Sequence, residues 1–145
     1  MAFRDMFAAS SISASGMAAE RLRMEVIANN IANANSTQSA NGGPYRRQDV
    51  VFAAVLDRVS GGKPGASGLG GVEAVELVED PSELPKVHMP GHPHADANGD
   101  VTMPNVQLPL EMVNLLTASR AYEANVKAAQ TFRQMNEQAL SILRG

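Results

Sequence analysis

The sequence predicts a mainly α protein: long N- and C-terminal helices packed as a helical pair or coiled coil, joined by a small irregular middle region containing some β structure. Three observations lead there. Residues 3–34 contain no proline and one glycine, Gly16, and residues 110–144 contain neither. The stretch from Asn35 to Leu108 holds all but one of the eight prolines and all but two of the twelve glycines. Apolar residues gather toward the two ends, which leaves the middle short of core-forming side chains.

The N-terminal helix is expected over Phe3 to Ala34, a stretch rich in Ala, Met, Arg and Glu, and would be about 48 Å long at 1.5 Å per residue. Alternating steps of three and four residues pick out Phe3, Met6, Ser10, Ser13, Met17, Glu20, Met24, Ile27, Ile31 and Ala34, seven of which are apolar. The interruptions at Ser10, Ser13 and Glu20 weaken this stripe relative to a two-stranded coiled coil, where a and d positions are nearly all Leu, Ile or Val. Ala14, Ala18 and Leu22 widen it into a face suited to several closely packed helices. Gly16 and the SSISAS segment disfavour an isolated helix in the first half, so ordering there is expected to depend on assembly.

The C-terminal helix is expected from Pro109 or Leu110 to about Leu143, Pro109 fitting the first turn, where its missing N–H costs nothing. One stripe carries Met112, Leu115, Ser119, Tyr122, Val126, Ala129, Arg133, Asn136, Leu140 and Leu143; beside it run Ala118, Ala121, Asn125, Ala128, Phe132, Met135, Ala139 and Ile142. The faces as a whole nominate Phe3, Met6, Met17, Met24, Ile27, Ile31, Leu115, Tyr122, Val126, Phe132, Met135 and Leu140 as subunit-interface residues. Between the helices, Asp49 to Leu56 reads as a buried strand or short helix, and Val72 to Glu79 as an edge strand guarded by glutamates. Ser60 to Gly71, half glycine, reads as a flexible linker. The chain thus divides into residues 1–37, 38–108 with the linker at 60–71, and 109–145.

Composition narrows the chemistry. Zero cysteines excludes disulfides, thiolate catalysis and Cys-based metal sites. A net charge of −3 with scattered Lys and Arg gives no basic face for nucleic acid. No apolar run is long enough to span a membrane, the Ala-rich helix faces suit protein better than lipid, and no cleaved secretory signal is expected at the start. One segment has the residue types of a metal site: HMPGHPHADANGD, with His88, His92, His94, Asp96 and Asp100. Zinc would need two or three of these nitrogens to converge, and Asp96, Asn98 and Asp100 copy the start of a calcium loop, with Gly99 one place early and no glutamate at the twelfth position. The reading adopted is a polar turn in which Asn98–Gly99 takes up positive φ. No G-x-S-x-G elbow is present, so neither a catalytic residue, a metal site nor a cofactor is assigned.

Two segments resemble the flagellar rod and hook axial protein family. The first, RMEVIANNIANANSTQSANGGPYRRQDVVF, carries Asn29, Asn30, Asn33, Asn35 and Thr37, followed by Tyr45, Arg46 and Arg47. The second has the EMV…SRAYEANV pattern, Glu111 to Val113 and Ser119 to Val126. His94, Asp100 and Pro109 depart from the family pattern. The likeness implies a non-enzymatic subunit of the proximal rod of the bacterial flagellar basal body. It would polymerise through its terminal helices into a hollow drive shaft that transmits torque across the periplasm. The implied partners are copies of itself, the rod subunits FlgB, FlgF and FlgG, the base adaptor FliE and the flagellar type III export apparatus. A helical adaptor of another secretion system is the alternative. On physical grounds Asn33 and Asn35 would stop the helix in αL geometry, Tyr45 would anchor the next turn, and Arg46 and Arg47 would pair with carboxylates of a neighbouring subunit.

Overall fold

A computed structural model describes residues 2–39, 42–58 and 67–144, with the side chains of 9–39, 42–55 and 70–142. Helix α1 spans Ala2–Ala32 and helix α2 Leu108–Arg144. Between them lie strands β1 (Gln48–Arg58), β2 (Ser67–Glu79), β3 (Lys86–His88) and β4 (Asp100–Thr102). The fold is mainly α with a β-containing middle. β1 pairs with β2, and β3 with β4 in antiparallel register, Val87 opposite Val101. The chain forms two compact units, one of Met1–Leu22, Val51–Glu76 and Ala118–Gly145, the other of Arg23–Val50 and Leu77–Thr117.

In the first unit, small residues let α1 and α2 approach closely. Ala19 and Ala118 are buried, and a Cβ on Gly16 would stand 2.9 Å from Asn125 Nδ2. Ser15 joins α1 to β2: its Oγ donates to the Ile12 carbonyl (2.7 Å) and accepts the Val72 N–H (3.1 Å). Gly71, at φ +102°, passes directly over that hydroxyl. This placement corrects the linker expected at 60–71, because Ser67–Gly71 are strand, part of β2, whose pairing with β1 composition does not reveal. Residues 60–66 of that linker lie outside the described residues. Asp49 to Leu56 is strand and not helix, but it is not buried: Val51, Ala53 and Ala54 are exposed, since a two-stranded ribbon covers neither of its own faces.

In the second unit the apolar core is Val26, Ile27, Ala34 and Val101. The segment with the three histidines forms the loop of the β3–β4 hairpin. Asp96 Oδ1 accepts the N–H groups of Asn98 (2.8 Å) and Asp100 (2.9 Å), and Gly99 takes φ +80°. Those two N–H groups, that of Asp100 first, hold the Asp96 carboxyl below its ordinary range. The three imidazoles have different neighbours. His88 Nδ1 lies 2.9 Å from Asp100 Oδ1, His94 Nδ1 2.9 Å from Thr37 Oγ1, and His92 Nδ1 accepts the His94 N–H (3.1 Å). Among the described residues no three His, Asp or Glu side chains converge as a metal cluster.

The end of α1 also differs from expectation. Among the described residues every positive φ belongs to glycine, so neither Asn33 nor Asn35 adopts αL geometry. The helix is stopped by side chains instead. Asn33 Nδ2 donates to the Asn29 carbonyl (3.0 Å) and to Asn29 Oδ1 (2.9 Å), and Ser36 Oγ donates to Asn33 Oδ1 (3.1 Å).

Candidate functional site

Asparagine and glutamate rarely lie wholly out of solvent unless each polar atom has a partner. Asn30 near the end of α1 and Glu111 in the first turn of α2 are both 0% exposed, and they are bonded to each other. Asn30 uses all four of its hydrogen-bonding positions. Its Nδ2 donates to the Gln48 carbonyl (2.8 Å) and to Glu111 Oε2 (3.2 Å). Its Oδ1 accepts the Tyr45 hydroxyl (2.8 Å) and the Gln48 N–H (2.9 Å). The amide therefore grips the first residue of β1 by both its N–H and its C=O, as a neighbouring strand would.

Glu111 is held from the other side by Arg47, whose Nε donates to Oε1 at 2.7 Å. Glu111 also sits at a helix N-terminus, where the dipole favours negative charge. Arg47 reaches Asp49 at 3.3 Å and Asp80 at 3.8 Å, and its backbone N–H donates to Asn105 Oδ1 (2.8 Å). Burial is the largest influence and works against the guanidinium charge, but the bond and charge of Glu111 together with those of Asp49 outweigh it, so Arg47 holds its proton more tightly than a free arginine. The Asp80 carboxyl is held below its ordinary range, first by the Ser82 N–H (2.9 Å). Arg46 turns elsewhere and donates to the carbonyls of Asp80 and Ser82, each at 3.2 Å.

Burial first, then the nearby charges of Glu111 and Glu79, raise the Tyr45 phenol above its ordinary value. A group whose pKa is raised by folding stabilises below its unfolded pKa and loses that contribution as pH climbs through the folded value. Thermal melts of the full chain should therefore fall more steeply above about pH 10 than those of Tyr45→Phe, which lacks this titration. Parallel curves for the two proteins would contradict this.

The predicted motif residues Asn30, Tyr45 and Arg47 thus meet at one buried point. Asn29 and Asn33 close the helix, and Thr37 meets the hairpin loop. The expectation that Arg47 pairs with a neighbouring subunit is corrected, because its carboxylates lie within this chain. Arg46 likewise bonds to this chain's own carbonyls. Ile27 is buried within the second unit, which removes it from the nominated interface. Met17, Met24, Ile31, Leu115, Tyr122, Val126 and Phe132 are half-buried, Met135 and Leu140 are exposed, and the side chains of Phe3 and Met6 lie outside the described residues. Sequence reasoning missed the structural part played by Glu111, Gln48 and Asn105. A carboxylate set between apolar neighbours just after Pro109 is the signal that could have found Glu111. It also missed Leu110, Val113 and Leu116, which with Met112, expected on the stripe of Leu115 and Tyr122, form an outward apolar face on α2 that is 50–60% exposed.

The arrangement offers no nucleophile with an adjacent base; what it builds is a rigid joint. Comparison with known proteins agrees. Residues 11–40 match the family model "Flagella basal body rod protein", and residues 97–142 match "Flagellar basal body rod FlgEFG protein C-terminal". The flagellar basal-body rod protein FlgC of Borreliella burgdorferi is 38% identical over 150 residues, covering 97% of this chain and 99% of the relative. That of Salmonella typhimurium is 40% identical over 131 residues, covering 90% and 92%, and that of Agrobacterium fabrum 36% identical over 138 residues, covering 94% of each. At that identity and coverage the chain belongs to the FlgC family of flagellar basal-body rod proteins, which are structural subunits and not enzymes.

Proposed function

We propose that this rod subunit lies in the proximal rod and polymerises through its two long helices, which pack in coiled-coil fashion against each other and against those of neighbouring subunits. The observation that carries this is the two-sided apolar character of α2. One side, with Leu115, Ala118 and Tyr122, packs within the chain, while Leu110, Met112, Val113 and Leu116 on the other side are exposed. A helix that is apolar on both sides belongs in the interior of something larger. Among the described residues sixteen large hydrophobic side chains are exposed and only six hydrophobic residues, three of them alanine, are buried.

In this reading residues 1–37 and 109–145 form the rod core, with Met17, Met24, Ile31, Phe132, Met135 and Leu140 among the contact residues and Phe3 and Met6 extending the face. Residues 38–108 face outward. A head-to-tail contact that does not close generates a helical assembly and hence a hollow shaft. Its neighbours are copies of itself, FlgB, FlgF, FlgG and FliE. The chain reaches the periplasmic span of the basal body through the flagellar export apparatus.

Val113→Asp combined with Leu116→Asp tests the carrying observation. The purified variant should keep its helical circular dichroism, and a strain whose sole copy carries both changes should lose rod assembly and motility. Normal swimming with basal bodies of normal yield would overturn the assignment of this face.

A further inference from the structure

Two arginines stand side by side, yet the buried carboxylate of Glu111 takes only one. Arg47 Nε reaches it at 2.7 Å, while Arg46 turns to the carbonyls of Asp80 and Ser82. Side chains alternate along the lead-in to a strand, so a slip of one residue would bring Arg46 to Glu111 and turn Arg47 outward. The pairing of Glu111 with an arginine would survive such a slip, although the Arg47–Asp49 contact at 3.3 Å would not, because Gln48 is the residue two places after Arg46. Attraction to the buried Glu111 therefore does not select the register, the exposed Asp49 contact contributes at most about 1 kcal/mol, and something else must act.

Asn30 supplies part of the selection. Its amide grips the N–H and C=O of Gln48, which fixes where a peptide group must lie. Any residue except proline could offer that peptide, and in the slipped register Arg47 would. Tyr45 is different. Its hydroxyl donates to Asn30 Oδ1 at 2.8 Å, and in the slipped register its place falls to Pro44, which has no hydroxyl to give. Asn30 Oδ1 would then be left one bond short inside the protein, a costly state for a buried acceptor. We propose that Asn30 and Tyr45 are positioning residues that set the register of the Arg46–Arg47 pair and so choose Arg47 as the partner of Glu111. A buried ion pair is weak evidence for stability and better attested as a device for specifying one arrangement among several.

Double-mutant cycles in the full chain test this. Glu111→Gln is combined in turn with Arg46→Ala and Arg47→Ala, in the wild type, in Tyr45→Phe and in Asn30→Ala. In the wild type, Arg47 and Glu111 should be coupled by about tenfold or more in the folding equilibrium, and Arg46 and Glu111 by no more than about twofold. In both variants the Arg47 coupling should fall and the Arg46 coupling rise to a comparable size. An Arg46 coupling that stays near zero in both variants would overturn the proposal, and so would the loss of both couplings, which would make Asn30 and Tyr45 packing residues only. If a variant does not fold alone, motility gives the same discrimination. Glu111→Arg should be rescued by Arg47→Glu alone in the wild-type background, but by either Arg46→Glu or Arg47→Glu alongside Tyr45→Phe. Rescue by Arg47→Glu alone in both backgrounds would refute the selection, as would no rescue in either.

Discussion

Glu111→Leu is expected to destabilise the unit containing the buried joint by roughly 3–5 kcal/mol, the cost of breaking a buried pair by removing one partner. The substitution suits a helix and fills similar volume, so neither propensity nor a cavity would account for such a loss. What it leaves behind is Arg47, 16% exposed and deprived of its shortest bond, and an Asn30 Nδ2 proton facing a methyl group. Asp49 and Asp80 are too far or too exposed to replace a contact of 2.7 Å. Denaturant unfolding followed by circular dichroism measures the change. A loss below about 1 kcal/mol, the value of an exposed pair, would show that the joint does not hold the unit together.

Gly71→Ala should have the second large effect, about 3 kcal/mol, from two sources that add. At φ +102° any residue with a Cβ is strained by roughly 1–2 kcal/mol. The new methyl would also fall on Ser15 Oγ, well inside van der Waals contact. Rotating that hydroxyl away would forfeit its bonds to the Ile12 carbonyl and the Val72 N–H, each worth about 1 kcal/mol. A thermal melt of Gly71→Ala beside Ser15→Ala separates the sources. The serine change removes the bonds without the strain, and should cost clearly less. Equal costs would mean that the backbone at Gly71 relaxes freely.

Legibility in the sequence followed the length scale of each interaction. Both long helices were readable to within about two residues, because propensity and the absence of proline act locally and accumulate over thirty positions. The Asn98–Gly99 turn was readable for the same reason. The β3–β4 pair was not, since Lys86–His88 and Asp100–Thr102 are too short to display a period. Nor was the destination of Arg47, whose partner is 64 positions away. A basic doublet announces that a carboxylate is wanted without saying whether it lies in this chain or the next. The family motif marked Asn30, Tyr45 and Arg47 as belonging together, and their geometry supplied the reason. The outward face of α2 escaped notice because Leu110, Val113 and Leu116 fall on neither of the two stripes read from the sequence.

The grip of Asn30 on Gln48 also bears on how β1 comes apart. Strands ordinarily fray from their ends, where the last ladder bonds have water on one side. At Gln48 the terminal peptide is bonded instead to an amide wholly shielded from water, which is itself carried on a helix more than thirty residues long counted to its asparagine turn. The root of the ribbon is therefore its most persistent point. Opening of β1 must travel toward Gln48 and stop there.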